Sequence, residues 1–437
     1  MKAKPMVIAA MAMAGFWLAL VAGVSAEMLT LSEGLRLAAD GNRFVKITRQ
    51  QEDISEADTL IARSLLLPTI NASASQTFLA YQPRAIFGPQ RVPTSEKSFF
   101  SYGLGIQQLL YDFQGSVARY NASRAILDAK RRDTMRVKNL ISLTFALAYF
   151  DLLEAEKLVL VAEKEVESVQ AHLRDAKNLY DGGVITKNDL LQAEVRLSDA
   201  QQKLLNARNS RAVNASRLNT ILARPLNTEV QVTDIGESTA GYVIPGREKA
   251  WEAAMEHRPE MLIVEETMRS LGFEEASKKA EYYPRFFAGV SYDYTENRFM
   301  VHQGNAALLL GMTLNLFSGG STKAEVLKIG HQKRQLQEQR ARLADEIRLE
   351  VEKNILDMRN ARERVAVAKD AVGQAEENLR INRVRYEEGV GTATEVLDAV
   401  TLLTVAETNH YRSLYDLRRA ESAVLYSMGK DLSEVYQ

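Results

Sequence analysis

The amino-acid sequence predicts a mixed α+β membrane protein, internally duplicated, in which a long α-helical coiled-coil barrel continues into a transmembrane β-barrel shared between subunits. Three observations lead to this fold class: a repeated order of motifs, hydrophobic residues recurring every seven positions, and four segments of alternating apolar and polar residues. The 437 residues are 46% hydrophobic and 25% charged, which excludes wholesale disorder and a multi-span helical membrane protein.

The first 26 residues have the pattern of a secretory signal peptide. Lys2 and Lys4 precede an apolar run, and 24–26 (Val-Ser-Ala) forms a small-residue cleavage site, so we expect cleavage after Ala26. The sequence has no cysteine, which excludes disulfides, thiolate metal sites and a lipid-modified cysteine. Five histidines without ligand spacing predict neither a metal nor a cofactor, and the near-neutral charge argues against nucleic acid as a partner.

The rest of the chain is organised as two repeats. The segment around Pro68 resembles the segment around Pro284, and the turn at 180–186 is echoed 206 residues later at 386–392. We therefore expect a first structural repeat at 27–225, an equatorial segment at 226–246, a second structural repeat at 247–430 and a C-terminal tail at 431–437.

Each repeat contains a long heptad segment and a shorter returning one. In the first repeat the seven-residue series is Phe145, Leu152, Val159, Val166, Leu173 and Tyr180. Alanine occupies most positions three residues later, which predicts a closely packed left-handed coiled coil. No proline interrupts 116–180 or the equivalent 321–386, so each outgoing helix would be about 97 Å long at 1.5 Å per residue.

Between the helices of each repeat, the hydrophobic period changes from seven to two. The predicted strands are 69–81, 98–111, 285–295 and 306–317. Loops containing proline, glycine and asparagine join them into two hairpins. The smallest membrane barrels have about eight strands, and unpaired strand edges are very costly in lipid. If these hairpins contact lipid, several chains must therefore share one barrel.

These features together resemble the TolC-like outer membrane efflux proteins, the outer membrane factor family, over nearly the whole mature chain. The motifs that carry the resemblance are Arg258-Pro259-Glu260, Leu67-Pro68, and two Tyr-x-x-Gly turns followed by Thr186, Asp189 and Leu190 or by Thr392, Glu395 and Asp398. The resemblance implies a homotrimer in the cell outer membrane, in contact with its lipid, with the helical portion in the periplasm. It also implies a non-enzymatic exit channel of a tripartite efflux pump or type I secretion system. The implied partners are a periplasmic membrane fusion adaptor and an inner-membrane RND or ABC transporter.

The resemblance assigns roles at the ends of the long helices. Glu395 and Asp398, three positions apart on one helix face, match the periplasmic constriction; alternatively they are solvated surface charges. Asp189 and Tyr386 match residues that close the entrance, although Tyr386 would also suit the end of the heptad seam. Gly391 stands where some relatives carry an arginine, so the contact made by that arginine is expected to be absent.

The two glycine turns between the helices are the expected contacts for the adaptor. Gly183 and Val184 lie in the first turn, and Gly389 and Val390 lie in the second. The alternative is simple turn chemistry, because glycine readily adopts the positive φ found after many helices.

Two other functions remain open from the residues alone. A non-conducting periplasmic coiled-coil spacer would show the same heptads, and conductance measurements would distinguish it from a channel. An exported hydrolase would need a nucleophile or an acid/base pair in a pocket, and the acidic pairs here fit stacked rings better.

Overall fold

The structure, a computed structural model, describes residues 28–234 and 245–436. The predicted signal peptide at 1–26 and part of the predicted equatorial segment lie outside the described residues. The helices are α1 Leu31–Gly41, α2 Arg43–Ser64, α3 Gly115–Asp181, α4 Lys187–Ile221, α5 Arg247–His257, α6 Pro259–Ala280, α7 Ser321–Glu387, α8 Ala393–Ser427 and α9 Leu432–Val435. The strands are β1 Met28–Leu29, β2 Thr69–Phe78, β3 Arg84–Phe87, β4 Gln90–Pro93, β5 Ser98–Tyr111, β6 Gln231–Val232, β7 Arg285–Thr295 and β8 Gly304–Thr313.

Helices α3 and α7 each contain 67 residues and would be about 100 Å long. The heptad residues Phe145 and Leu152 and the alanines that follow them are buried in α3, which accounts for the seven-residue period. Helix α6 starts at Pro259, and the buried Arg258 before it forms ion pairs with Glu260 and with Glu350 of α7. In the described ranges, no helix combines the length and apolar character needed to cross a membrane.

The helices pack side by side in a fixed order. Both α2 and α4 pack against α3, while α6 and α8 each pack between α3 and α7. The two edges of this layer are therefore α2 with α4 on one side and α7 on the other.

The sheet repeats the order of the helices. In the described part of the chain, β2, β5, β7 and β8 form an antiparallel sheet in that order. Strand β2 follows α2, β5 precedes α3, β7 follows α6 and β8 precedes α7. The strand order in the sheet thus follows the order of the connected helices, α2, α3, α6 and α7. Strands β2 and β8 are the open edges of the sheet.

Two strands differ in extent from the prediction. Strand β2 ends at Phe78 instead of 81, because the chain turns into an additional two-stranded hairpin, β3 and β4, that the sequence analysis did not predict. Strand β8 covers Gly304–Thr313 instead of 306–317. The Asn315 side chain accepts a hydrogen bond from the Phe317 amide at 3.2 Å, which starts the turn into α7.

The strand alternation produces a sheet with one apolar and one polar face. Across the four strands, Ile70, Ile106, Val290 and Leu308 are aligned on one face, and Asn71, Gly105, Ser291 and Ala307 are aligned on the other. Aromatic pairs lie near both ends of the sheet. The ring centroids of the stacked Tyr102 and Tyr294 are 4.8 Å apart, and those of the stacked Phe113 and Tyr283 are 4.7 Å apart. The apolar face is exposed to solvent in the single chain.

The larger of two hydrophobic clusters in the described residues includes the middle of α3. Phe145, Tyr149 and Phe150 are fully buried there, together with residues of α1, α5 and α9. Strands β1 and β6 form a short parallel ribbon beside this core, and the Tyr149 hydroxyl lies 2.6 Å from the carbonyl oxygen of Thr233. The C-terminal segment is also packed, since Leu432 of α9 is buried.

Candidate functional site

The candidate site lies at the ends of the long helices farthest from the sheet. The two helix-to-helix turns there have the same backbone geometry. In the first turn, the Val184 amide donates to the Leu179 carbonyl at 2.8 Å and the Gly183 amide donates to Tyr180 at 2.9 Å. In the second turn, Val390 donates to Arg385 at 2.9 Å and Gly389 donates to Tyr386 at 3.1 Å. Both are Schellman motifs.

The backbone conformation favours glycine at both turns. The φ angles of Gly183 and Gly389 are +75° and +74°, a region that L-residues with a side chain rarely adopt. The next residues, Val184 and Val390, are 70% and 69% exposed. Each turn therefore projects one apolar side chain into solvent, and this position tolerates substitution without the backbone strain expected at the glycines.

The residue after each turn begins a returning helix with a capping box. The Thr186 amide donates to Asp189 Oδ2 at 3.1 Å, and the Thr392 amide donates to Glu395 Oε2 at 2.9 Å. Each threonine hydroxyl in turn accepts from the amide of that acidic residue. Asp189 and Glu395 therefore have a structural role that the sequence analysis did not identify, although the Thr-x-x-acid pattern is its usual signal.

Both predicted constriction carboxylates lie near an arginine of the same chain. Glu395 Oε1 lies 3.8 Å from Arg385 of α7, and Asp398 Oδ1 lies 3.8 Å from Arg196 of α4. All four side chains are substantially exposed, so these pairs are weak and separable. In the described residues, the Arg196 pair is the ion pair that joins α4 to α8, across a cavity of about 380 Å³.

Tyr386 is buried in the seam between the long helices, with only 8% of its surface exposed. The centroid of its ring lies 5.1 Å from the centroid of the His172 ring of α3. Its hydroxyl has no hydrogen-bond partner in the described part of the chain; burial, with Asp175 and Asp189, raises the Tyr386 pKa. In the described residues the Tyr386 hydroxyl therefore makes no hydrogen bond with Asp189.

His172 is a buried polar residue of this site that the sequence analysis passed over. It is 4% exposed, and its Nε2 also has no hydrogen-bond partner among the described residues. Burial lowers the His172 pKa and Arg383 lowers it further, while Asp175 opposes the change. Two side chains with an unpaired polar atom, His172 and Tyr386, thus lie close together beside the apolar cluster of α3, α7 and α8.

Gly391 packs tightly against the end of α7. A Cβ atom at this position would lie 3.0 Å from the Tyr386 amide nitrogen and 3.1 Å from the Arg385 carbonyl carbon. An arginine here would need the turn to shift. In the described ranges, no group of histidine and acidic side chains is arranged to hold a metal ion.

Comparison with known proteins identifies the family. The model of the outer membrane efflux protein family matches residues 35–224 and 252–430. The chain is 22% identical over 435 residues to the outer membrane efflux protein BepC of Brucella suis. The aligned region covers 98% of this chain and 90% of BepC. The chain is 21% identical to the alkaline protease secretion protein AprF of Pseudomonas aeruginosa, over 92% of this chain and 84% of AprF.

Solved structures show the same fold. The structure of CusC superposes with a TM-score of 0.79 at 15% identity, covering 92% of both chains. The outer membrane protein VceC of Vibrio cholerae gives a TM-score of 0.76 at 15% identity, covering 92% of this chain and 96% of VceC. The chain therefore belongs to the outer membrane efflux protein family and is an outer membrane protein.

Proposed function

We propose that three copies of this chain form a passive exit channel of a tripartite efflux pump or type I secretion system. The observation that carries the proposal is the sheet, whose apolar face is continuous across four strands while the opposite face is polar. Such a sheet suits lipid on one side and a water-filled passage on the other. The efflux and protease-secretion relatives support both kinds of exporting system.

Closure between copies follows from the two open edges. An unpaired strand edge in lipid leaves amide and carbonyl groups without partners, which costs several kcal/mol for each group. Pairing β8 of one copy with β2 of the next would remove this cost. Because the helices follow the strand order, the same step would bring α7 of one copy against α2 and α4 of the next. The exposed Val367 on α7 is consistent with this contact.

The ends of the long helices would form the periplasmic entrance. In our proposal, Glu395 and Asp398 of all copies surround the axis and form its constriction, and Asp189 and Tyr386 take part in closing it. The turns with Gly183, Val184, Gly389 and Val390 would contact a periplasmic membrane fusion adaptor, itself bound to an RND or ABC transporter. The chain's own sequence shows no nucleotide-binding motif, so we assign the energy source to that transporter.

Conductance and ion selectivity in planar bilayers test the proposal. We expect the purified protein to conduct and, with its carboxylates intact, to favour cations, because negative charge in a narrow passage attracts them. The double variant Glu395→Gln with Asp398→Asn should shift the reversal potential in a salt gradient towards zero and weaken block by trivalent cations. Glutamine keeps the capping hydrogen bond of Glu395 possible.

A matched control is available on α7. Glu346 and Asp345 are also exposed and lie far from the turns. Glu346 pairs with Arg342 and Asp345 pairs with Arg348, each with a nitrogen–oxygen distance of 3.3 Å. Glu346→Gln with Asp345→Asn should leave selectivity nearly unchanged. Absence of any conductance would favour the non-conducting spacer. If the Glu395→Gln and Asp398→Asn double variant conducts with unaltered ion selectivity, Glu395 and Asp398 do not line the constriction.

A further inference from the structure

The additional hairpin of β3 and β4 lies at the end of the sheet opposite to the long helices. It connects the end of β2 to the start of β5 and pairs only with itself in the described part of the chain. Because the helical portion is periplasmic, this end faces the cell exterior. The hairpin therefore lies on the outer-leaflet side of the membrane.

Two arginines of the hairpin share one face. Ile86 pairs with Arg91 across the strands and Arg84 pairs with Pro93, so Arg84 and Arg91 are diagonal neighbours on the same side. Both are exposed, and neither has an ion pair or a side-chain hydrogen bond among the described residues. Like charges placed together in this way repel each other, and an anion between them would relieve the repulsion.

Exposed apolar side chains lie in the same hairpin as the two arginines. Ile86 lies between them in the register and is 73% exposed, while Tyr81 before the hairpin is 88% exposed. Phe87 at the turn is also largely exposed and lies on the opposite face of the hairpin. Basic and aromatic side chains side by side are typical of the membrane–water interface, where the apolar parts meet lipid and the cations meet head groups.

The hairpin is held in place beside the second exterior loop. The buried Asn297 donates from its side-chain amide to the Thr94 carbonyl at 3.3 Å, and Arg298 pairs with Glu96 at 3.1 Å. Arg298 therefore has a partner within the chain. This difference separates it from Arg84 and Arg91 although all three lie at the same end of the molecule.

We propose that Arg84 and Arg91 together bind a phosphate group of the anionic glycolipid in the outer leaflet. The planar guanidinium donates paired hydrogen bonds that match phosphate oxygens, and two such groups on one face supply complementary charge. Ile86 and Tyr81 contact the less polar part of the same lipid. The inference rests on the outer membrane location and the orientation of the chain, and not on conduction.

Native mass spectrometry of the full-length protein in detergent tests the site. The probes are lipid A carrying two phosphates and the same lipid after removal of both phosphates. We expect the phosphorylated form to bind preferentially. Arg84→Gln with Arg91→Gln should weaken that binding by about tenfold or more, as expected for loss of charge-assisted hydrogen bonds. Arg298→Gln, the control at the same end, should bind like the unmodified protein.

Three results would overturn the proposal. One is equal binding of the phosphorylated lipid by the double variant and the control. Another is equal binding of the two lipid forms by the unmodified protein, which would indicate apolar contact only. The third is dissociation of the oligomer in the double variant with lipid binding per chain unchanged, which would make the hairpin a contact between copies. Conductance of the variants, measured in parallel, distinguishes failure of this site from failure of the channel.

Discussion

The two repeats use different residues at one strained backbone position. Ala223 follows α4 with φ +56°, and its equivalent Gly429 follows α8 with φ +75°. Each ends its helix with the same pair of hydrogen bonds, for example from the Arg224 amide to the Asn219 carbonyl at 2.9 Å. Alanine in this conformation costs about 1 kcal/mol, whereas glycine adopts it freely.

We therefore expect Ala223→Gly to raise the free energy of unfolding by about 0.5 kcal/mol, since relief of strain exceeds the added entropy of the unfolded chain. The reverse change, Gly429→Ala, should lower the free energy of unfolding by about 1 kcal/mol or more. Its new Cβ would lie only 2.8 Å from the His257 carbonyl carbon. Thermal unfolding of both variants in the same detergent measures the difference, and equal effects of the two substitutions would contradict this account.

His172 gives the helix ends a defined response to pH. Because burial lowers its pKa in the folded protein, the unfolded chain binds the proton more readily. Stability is then fully present above the unfolded pKa of about 6.5 and is lost as the pH falls below it. We expect the melting temperature of the unmodified protein to fall more steeply between about pH 7 and pH 5 than that of His172→Phe.

Phenylalanine preserves the ring contact with Tyr386 while removing the titrating group, which makes it the suitable replacement. The exposed His331 on α7 supplies the control, since His331→Phe should leave the pH profile unchanged. Identical profiles for His172→Phe and the unmodified protein would show that protonation of His172 does not affect the folded state.

At the scale of elements, the sequence predicted what depends on local periodicity. The heptads predicted α3 and α7 to within one residue at each end, and the alternation predicted β5 and β7. It overran the end of β8 because Leu314 and Leu316 continue the alternating pattern beyond Thr313, where the strand ends before the turn that Asn315 starts. The prolines around β3 and β4 made that hairpin look like an irregular loop.

Fewer features of the candidate site could be predicted from the sequence. The Schellman turns and capping boxes are local, and their residues are visible in the sequence. The approach of Arg196 to Asp398 joins residues 202 positions apart, and no periodic pattern specifies it. The contact between His172 and Tyr386 likewise depends on how α3 and α7 pack.

Substitutions in the two helix-to-helix turns test whether an adaptor contacts them. Replacing Gly183 and Gly389 with bulky residues would disturb the backbone as well as any contact, because both have positive φ. Val184→Asp with Val390→Asp tests docking more cleanly. If an adaptor buries both valines, their loss should weaken binding at least about tenfold, because burial of each contributes about 1.5 kcal/mol or more.

Crosslinking to the adaptor and titration of the purified pair measure this effect. Val301→Asp provides the control, since Val301 is an exposed valine at the opposite end of the molecule. Unchanged adaptor affinity in the double variant, with export intact, would assign the turns to helix connection alone.

The whole molecule has two layers whose edges coincide. The sheet is open at β2 and β8, and the helical layer is open at α2 with α4 and at α7. A second copy that pairs with the sheet edge therefore also covers the helix edge. In the proposed channel, a ring of identical chains would complete both layers at once.

Disulfide crosslinking between the edges of the sheet tests the proposed ring directly. Within one chain, β2 and β8 are separated by β5 and β7, which places them about 14 Å apart at 4.8 Å per strand, too far for a disulfide. Since the chain contains no cysteine, introduced pairs report without background. We expect at least one pairing of Ser73→Cys or Ser75→Cys with Asn305→Cys or Ala307→Cys to give covalent dimers and trimers on oxidation, because these positions lie on the polar face of the two edges. Each single variant serves as the control and should give no such ladder. Monomers that retain their β-structure in mild detergent, with no crosslink from any pairing, would refute closure of the sheet between copies.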